Sequence, residues 1–520
     1  MKKRILFIQL LIITIFGYSQ VDSIAKSFAS TITTDDLHDY LSYLASSATQ
    51  GRETGTTGLR VAGDYIASQF GFFGVQQVGG RGTYYQSYKY LRNIKNDVTL
   101  YDSTQRFEYL KDFYVLPDVK NGLVYNKEVV FMGYGIDDKR FNDYAKDTNL
   151  TGKIVIIFND EPKKKKKYIV SGTSEHSIWY HNFSLKLRQI LKYKPAALII
   201  IDDEFDAKIA AMKTMMTQMT APAMMASIDV INFPILFTQK SIAVKLLGID
   251  SLKFESIIKR ASKKHKPVHY FSKSTFSIEV DRVESTTNSD NIIGYVEGSD
   301  LKDEYIVISA HYDHLGMHKG KIFYGADDDG SGTSALLEIA KAFTKAKNAG
   351  NGPRRSILFC AFSGEEKGLL GSDYFTKSGL VPLNKIILDL NIDMIGRVDS
   401  TYSAKQNSNY IYPIGSNRLS SDLKPLLEKC NSTYTHLKLD YKYDDPEDKN
   451  RFYYRSDHYN FAKNNIQVIF FFNGTHADYH KSTDTIEKIN FNKMQTITQL
   501  VFFVAWQTAN QTQRLKLDLK

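Results

Sequence analysis

Glu304-Tyr-Ile-Val-Ile-Ser-Ala310 leads straight into His311-Tyr-Asp313-His. Downstream, the Gly-rich turn Gly325-Ala-Asp-Asp328-Asp-Gly-Ser-Gly332 opens a helix-patterned stretch that reaches Lys345. A short unbroken apolar run is the pattern of a strand buried on both faces. His311 and Asp313 stand two apart at its end, so they project to the same side. An imidazole there can ligate zinc while a carboxylate two residues on orients it; a histidine that only caps a hydrogen-bond network is the plainer alternative. In the turn, glycines let the backbone fold closely around a carboxylate able to bridge two cations. The register Asp-x-x-Ser-Gly selects Asp328, whereas Asp327 and Asp329 suit an N-cap with helix-dipole acids.

Farther out, strand patterns at 355–362, 385–394 and 467–472 alternate with helix patterns at 332–345, 366–376, 456–463 and 491–509. This alternation predicts an α/β/α sandwich, in which ligands gather beyond the strand ends. Chemistry-bearing residues recur at those ends. Glu365 and Glu366 follow the strand at 355–362. Adjacent carboxylates point apart, so one can hold a metal while the other takes a proton from water; two acids opening a surface helix is the alternative. Asp393 lies in an apolar strand, where a carboxylate needs a cationic partner; Asp389 competes with it, and a salt bridge would satisfy either. His480 lies in a loop after a strand, with His476 and His458 as rivals. Each position alone is weak. Two histidines and three carboxylates, one of them bridging and none accompanied by a thiolate, suit a pair of zinc ions about 3.5–4 Å apart, with cobalt or manganese as the alternatives.

The chain of 520 residues is long for one core, which predicts two or three domains, and 42% apolar with 13% aromatic content predicts a compact globular protein. Residues 1–19 have the form of an export signal: Lys2, Lys3 and Arg4, then an apolar run from Ile5 to Phe16, then small residues around Ser19. That run is too short to span a membrane comfortably, and no later segment has membrane-spanning character. Secretion, periplasmic or extracellular, is the expectation; removal of the signal takes three positive charges and lowers the formal charge from +10 to +7. Lys163 to Lys167 form a run of five that suits either a solvated loop or an anionic docking patch. Basic residues do not interleave with aromatics as single-stranded nucleic acid would require, so no nucleic-acid partner is expected. The cysteines, Cys360 and Cys430, are too few for a disulfide framework, and Cys360 reads as a packed thiol in a buried strand.

Before these motifs, helix patterns fall near 35–45 and 58–70, and strand-like segments near 84–90 and 97–100. The character changes at about 118. From there to 272, apolar strands at 128–135, 152–158, 197–201 and 234–237 carry no convincing catalytic set, and 239–247 has helical pattern. Met212 to Met225 suits an irregular core filler or mobile loop, with a flexible binding surface as the alternative.

With these motifs in order, residues 273–515 resemble the M28 family of zinc peptidases, which includes secreted bacterial aminopeptidases. Leu44-Ala-Ser, Gly51-Arg-Glu-Thr-Gly55 and Thr83-Tyr-Tyr-Gln86 resemble the family's N-terminal pattern more loosely. Phe131-Met-Gly-Tyr-Gly-Ile, Asp143-Tyr and Gly152-Lys-Ile-Val-Ile resemble the protease-associated (PA) domain often inserted in such enzymes. The resemblance implies a three-layer α/β/α sandwich with a central mixed sheet, built from 20–117 and 273–520, and a β-rich PA domain at 118–272 that offers a protein contact. It also implies two zinc ions, with His311, Glu366, Asp393 and His480 as terminal ligands and Asp328 as the bridge. Glu365 would be the general base that activates the water, Asp313 the partner of His311, and Tyr479 the group that holds the oxyanion. The expected reaction is removal of N-terminal residues from peptides with a free N-terminus. Phe470-Phe-Phe472 suggests an apolar preference, and no Arg lies between Ser456 and His480 to favour an acidic substrate. A carboxypeptidase of the same family, a one-zinc glutaminyl cyclase-like enzyme and a non-catalytic relative are the alternatives.

Overall fold

The computed structural model describes residues 21–78, 82–115, 122–144, 148–218, 233–264 and 269–519. The expected export segment and the second half of the Met-rich stretch lie outside them. The chain divides into two compact units, residues 1–89 with 288–520 and residues 90–287.

In the first unit, four parallel strands form the middle of the sheet, in the order Gln467–Phe472, Ile386–Ile392, Leu301–His311, Arg355–Phe362. Antiparallel neighbours close both sides: Tyr410–Ile414 beyond Gln467–Phe472, and residues 292–296 beyond Arg355–Phe362. The sheet is therefore mixed, as expected. Parallel strands need crossover connections, and the helices that make them cover both faces. Side-chain alternation divides each strand between the two layers. Ile306, Ile308, Ile357 and Phe359 meet the layer that includes Gly332–Asn348 and Phe491–Asn510, whereas Val307, Leu358, Cys360 and Phe362 meet Phe375 and Phe461 on the other side. A fully buried Leu, Ile or Phe is worth roughly 1.5–3 kcal/mol of transfer free energy. Phe491–Asn510 buries Ile497, Leu500, Val501, Phe502 and Val504 completely, so this helix is a principal clamp on the sheet. Cys360 and Cys430 are both buried and unbridged.

One helix starts later than its pattern implies. Residues 366–376 read as helical, but the helix is Leu370–Ser378. Gly368 at φ 101° and Leu369 at φ 60° are left-handed, so residues 365–369 are spent in a turn that holds Glu365 and Glu366 above the strand end.

In the second unit, Gly122–Phe131, Ile154–Phe158, Ala197–Ile201 and Ile235–Thr238 are parallel neighbours in that order. Residues 270–280 and Phe113–Val115 pair antiparallel at the two sides. Apolar clusters lie on both faces of the sheet. Lys163–Lys164 and Lys167–Tyr168 form a small hairpin, and all five lysines of the run are exposed, as a solvated loop would be. Among the described residues, no helix is long and apolar enough to cross a membrane.

Candidate active site

The four parallel strands of the first unit end on one edge. Leu301–His311 ends on His311, Arg355–Phe362 is followed by Glu365 and Glu366, Ile386–Ile392 by Asp393, and Gln467–Phe472 by the loop carrying Tyr479 and His480. Register brings the ends level: His311 pairs with Phe362, Ser309 with Asn391, and Ile392 with Phe471. Residues far apart in sequence thus meet beyond the carboxyl ends of the strands, where open α/β sheets place their ligands.

Asp328 stands at the centre. Its Oδ1 is 3.3 Å from His311 Nε2, and its Oδ2 is 3.1 Å from His480 Nε2. On the first side His311 Nε2 also lies 3.6 Å from Asp393 Oδ1; on the second His480 Nε2 lies 3.3 Å from Glu366 Oε2. His311, Asp328 and Asp393 each offer one ligand atom within a sphere fit for a metal ion, and so do His314, Asp328 and Glu366. His480 supplements the second group by its two short approaches. All five expected ligands come together.

His314 was not among them. It is completely buried, and its Nδ1 is 2.9 Å from Glu366 Oε1 without hydrogen-bond geometry. An imidazole nitrogen and a carboxylate oxygen that face each other this closely are placed as co-ligands would be. The His-Tyr-Asp-His spacing was the available signal, but its partner lies on another strand connection.

The three consecutive aspartates divide their work. Asp329 accepts the N–H groups of Gly332, Met394 and His311, and Asp327 accepts those of Gly396 and Asn473 Nδ2 and faces His476 at 3.2 Å. Both are therefore clamps between strand ends, leaving Asp328 to face inward. Asp484 secures the same turn by accepting the backbone N–H groups of Asp327 and Asp328. The rival groups lie elsewhere: His476 serves Asp327, His458 stacks on Phe470, with burial holding its imidazole down at about 3, and Asp389 accepts from Ser309.

Asp313 accepts a hydrogen bond from Thr54 Oγ1 on one oxygen and from the Glu365 backbone N–H on the other. Its main-chain oxygen lies 3.1 Å from His311 Nδ1 and its carboxylate 3.6 Å away, which turns His311 Nε2 toward the ligand group. Residues 51–54 contribute more than the loose resemblance suggested. The guanidinium of Arg52, fully buried, donates to the carbonyls of Leu44, Tyr312, Tyr324 and Gly325, and the Arg52 carbonyl accepts from His314 N–H.

Asp328, Glu365, Asp393, Tyr479 and His480 line one cleft of about 360 Å³, mouth included. Glu366 is turned away from it toward His314 and His480. Burial raises Glu365 well above the usual carboxylate range, with Glu366 and Asp393 adding and His311 opposing. Burial also raises the Tyr479 phenol, as do Asp328, Glu366 and Glu365, so it remains a hydrogen-bond donor. Phe470 and Phe472 line the cleft, while Phe471, on the opposite face of its strand, belongs to the sheet core. Arg455 also lines it, one position outside the interval that contains no arginine.

Residues 291–505 match the model of peptidase family M28. This segment is an M28 peptidase domain. It contains every expected ligand, whereas Arg52 and Thr54 lie outside it. The chain is 38% identical over 104 residues to a probable glutamate carboxypeptidase of Zea mays, and 36% identical over 109 residues to an aminopeptidase of Rattus norvegicus. These alignments cover 20% and 21% of this chain, and each spans only 14% of the relative's length. A probable zinc metalloprotease of Pyrenophora teres is 28% identical over 171 residues, which cover 32% of this chain and 34% of that protein. The fold is similar to that of an aminopeptidase from Aneurinibacillus, with TM-score 0.50 and 18% identity over 95% of this chain and 98% of the other.

The M28 domain's site fits the zinc its family implies. Four carboxylates, Asp328, Glu365, Glu366 and Asp393, converge with three imidazoles, and Asp328 Oδ2, Glu366 Oε1 and both ring nitrogens of His314 are buried without hydrogen-bond partners. Such an excess of negative charge calls for cations, and nitrogen and oxygen donors without thiolate suit zinc.

Proposed function

We propose that this chain is a two-zinc aminopeptidase that releases N-terminal residues from peptides. The observation that carries the reading is Asp328, one oxygen facing His311 and the other His480, which suits a bridge better than a one-metal site. His311 and Asp393 would hold one ion, Glu366 and His480 the other, with His314 beside the second. Bound zinc supplies a more acidic water and a polarised carbonyl.

The protein groups do the rest. Glu365, in the cleft and 4.0 Å from His311 Nε2, takes the proton from the attacking water and returns it to the leaving amine. Tyr479 donates its hydroxyl to the oxyanion as the carbonyl becomes tetrahedral. Asp313 fixes the ring orientation of His311 through its contacts at Nδ1. The carboxylates around Asp328 receive the free α-amine, which limits cleavage to the peptide's end.

Residues 118–272 are assigned to a PA-type domain that contacts protein, and 1–19 to an export signal that sends the enzyme beyond the cytoplasm. A carboxypeptidase is the second reading, favoured by Arg455 in the cleft. Zinc-loaded enzyme offered amino-acid arylamides and N-blocked peptides separates them. Hydrolysis confined to the free-amine set is expected, and hydrolysis of the blocked set would replace aminopeptidase with carboxypeptidase. Metal analysis is expected to return two zinc ions per chain, and a single one would favour a cyclase-like site.

A further inference from the structure

Phe452, Phe470 and Phe472 pack with Met394 in one apolar cluster and form an aromatic wall of the cleft that the carboxylates also line. On this wall sits Arg455, its guanidinium 4.9 Å from the Phe452 ring centre. Two arginines of this region are neutralised, Arg397 by Asp478 at 2.8 Å and Arg418 by Asp444 at 3.4 Å, while Arg451 lies over Tyr454 and, unlike Arg455, does not line the cleft. Arg455 is exposed and, among the described residues, has no carboxylate within ion-pair distance. It shares the cleft with Glu365, Tyr479 and His480. An arginine held over a ring, with no carboxylate on its fork of N–H donors, is prepared to meet a planar carboxylate.

We propose that Arg455 is a specificity-determining residue that binds a carboxylate of the substrate. Resting on the aminopeptidase reading, this makes the preferred N-terminal residue an acidic one with a long stem, glutamate above all. Its methylenes lie along Phe470 and Phe472, and its carboxylate reaches Arg455. The expectation of a purely apolar preference is thereby revised, because an aromatic wall accommodates either kind of stem and only the guanidinium discriminates the tip. The same fork could take the α-carboxylate of a dipeptide, so the chemistry is shared and the source is for experiment to separate.

The test compares glutamyl and glutaminyl arylamides, which differ only in carboxylate against carboxamide, on zinc-loaded full-length enzyme. The wild type should favour the glutamyl substrate in kcat/KM. Arg455→Gln should shrink the glutamyl-to-glutaminyl ratio by about tenfold, the value of one charge-assisted hydrogen bond, and Arg455→Lys should restore part of it. An unchanged ratio in Arg455→Gln overturns the proposal. Titration calorimetry with free L-glutamate, L-glutamine, L-leucine and L-leucinol needs no turnover. If no arylamide is cleaved, the aminopeptidase reading falls, yet glutamate binding that weakens relative to glutamine in Arg455→Gln upholds the carboxylate site, and equal weakening overturns it. A leucine-over-leucinol preference that disappears in Arg455→Gln would overturn the side-chain assignment in favour of a terminal carboxylate.

Discussion

Replacing Arg52 with methionine should destabilise the M28 domain more than removing any one of the ligands it supports. The side chain is completely buried, and its guanidinium holds four backbone carbonyls. Leu44 O and Gly325 O keep a second donor, from Thr49 Oγ1 and Gly330 N. Tyr312 O and Tyr324 O depend on Arg52 more heavily, and a buried acceptor left without a partner costs roughly 1–3 kcal/mol. Burial works against the charge of Arg52, while Asp328, Asp329, Asp313 and Asp484 support it. Methionine relieves the first term and leaves the four carboxylates uncompensated. A net loss of about 4 kcal/mol follows from two stranded carbonyls plus part of that electrostatic support. For a unit of this size about 2 °C of melting temperature corresponds to each kcal/mol, so the zinc-free protein should melt about 8 °C lower. Differential scanning calorimetry in chelator measures this without the masking effect of bound metal. Arg52→Lys keeps the charge but not the planar fork and should fall between the two. An Arg52→Met melting temperature within about 2 °C of wild type would refute the idea that this residue staples the ligand turns together.

Glu365→Gln should lower kcat by about 10²–10⁴-fold while two zinc ions per chain remain bound, and appreciable turnover in that variant would remove Glu365 from its role. His314→Asn should weaken zinc binding by roughly 10- to 100-fold in competition with a chromogenic chelator, and wild-type affinity would show that His314 only packs beside Glu366. In the second unit, burial pushes Asp143 up to about 7, against hydrogen bonds from Ile136 and Tyr134 and the charge of Lys186. An acid raised in the folded state contributes stability that is complete below its unfolded value near 3.8 and lost as pH rises through about 7. Urea unfolding followed at Trp179, in a Trp506→Phe background, should therefore show this unit weakening from pH 4 to pH 8. Asp143→Asn should flatten that slope, and an unaltered slope would show that other groups carry it.

Much of the first unit is legible from sequence because parallel strands buried on both faces read as continuous apolar runs. Residues 355–362 and 467–472 coincide with their strands to the residue. Tyr410–Ile414 escapes such a reading: it is short, holds Pro413 and pairs antiparallel on the flank of the parallel set. The helix expected from Glu366 starts at Leu370 because Gly368 and Leu369 adopt left-handed conformations that no apolar periodicity records. In the site, residues named by spacing fall together, while those missed depend on tertiary convergence. His314 meets Glu366 only because two strands end level, and Arg52 reaches the ligand turns from a segment hundreds of residues away. Arg455 sits one position before the arginine-free interval from Ser456 to His480, and only the shape of the wall brings it to the cleft.

The distribution of satisfied and unsatisfied polar atoms explains how one turn can hold three consecutive aspartates. Asp327 and Asp329 receive N–H groups from the loops after two other strands, so their charges serve as fixed acceptors and their positions are over-determined. Asp328 has its backbone held by Asp484, yet its Oδ2 has no donor and faces Glu366, His314 and His480. A carboxylate locked in place by its neighbours cannot rotate away from like charge, which raises the cost of the cation-free arrangement. That cost would be returned when a cation binds, so rigidity in Asp327 and Asp329 suits the bridging role proposed for the buried Asp328. Loosening either clamp should therefore weaken metal affinity even though neither belongs to the proposed ligand set, because Asp328 would then relax into a satisfied conformation of its own.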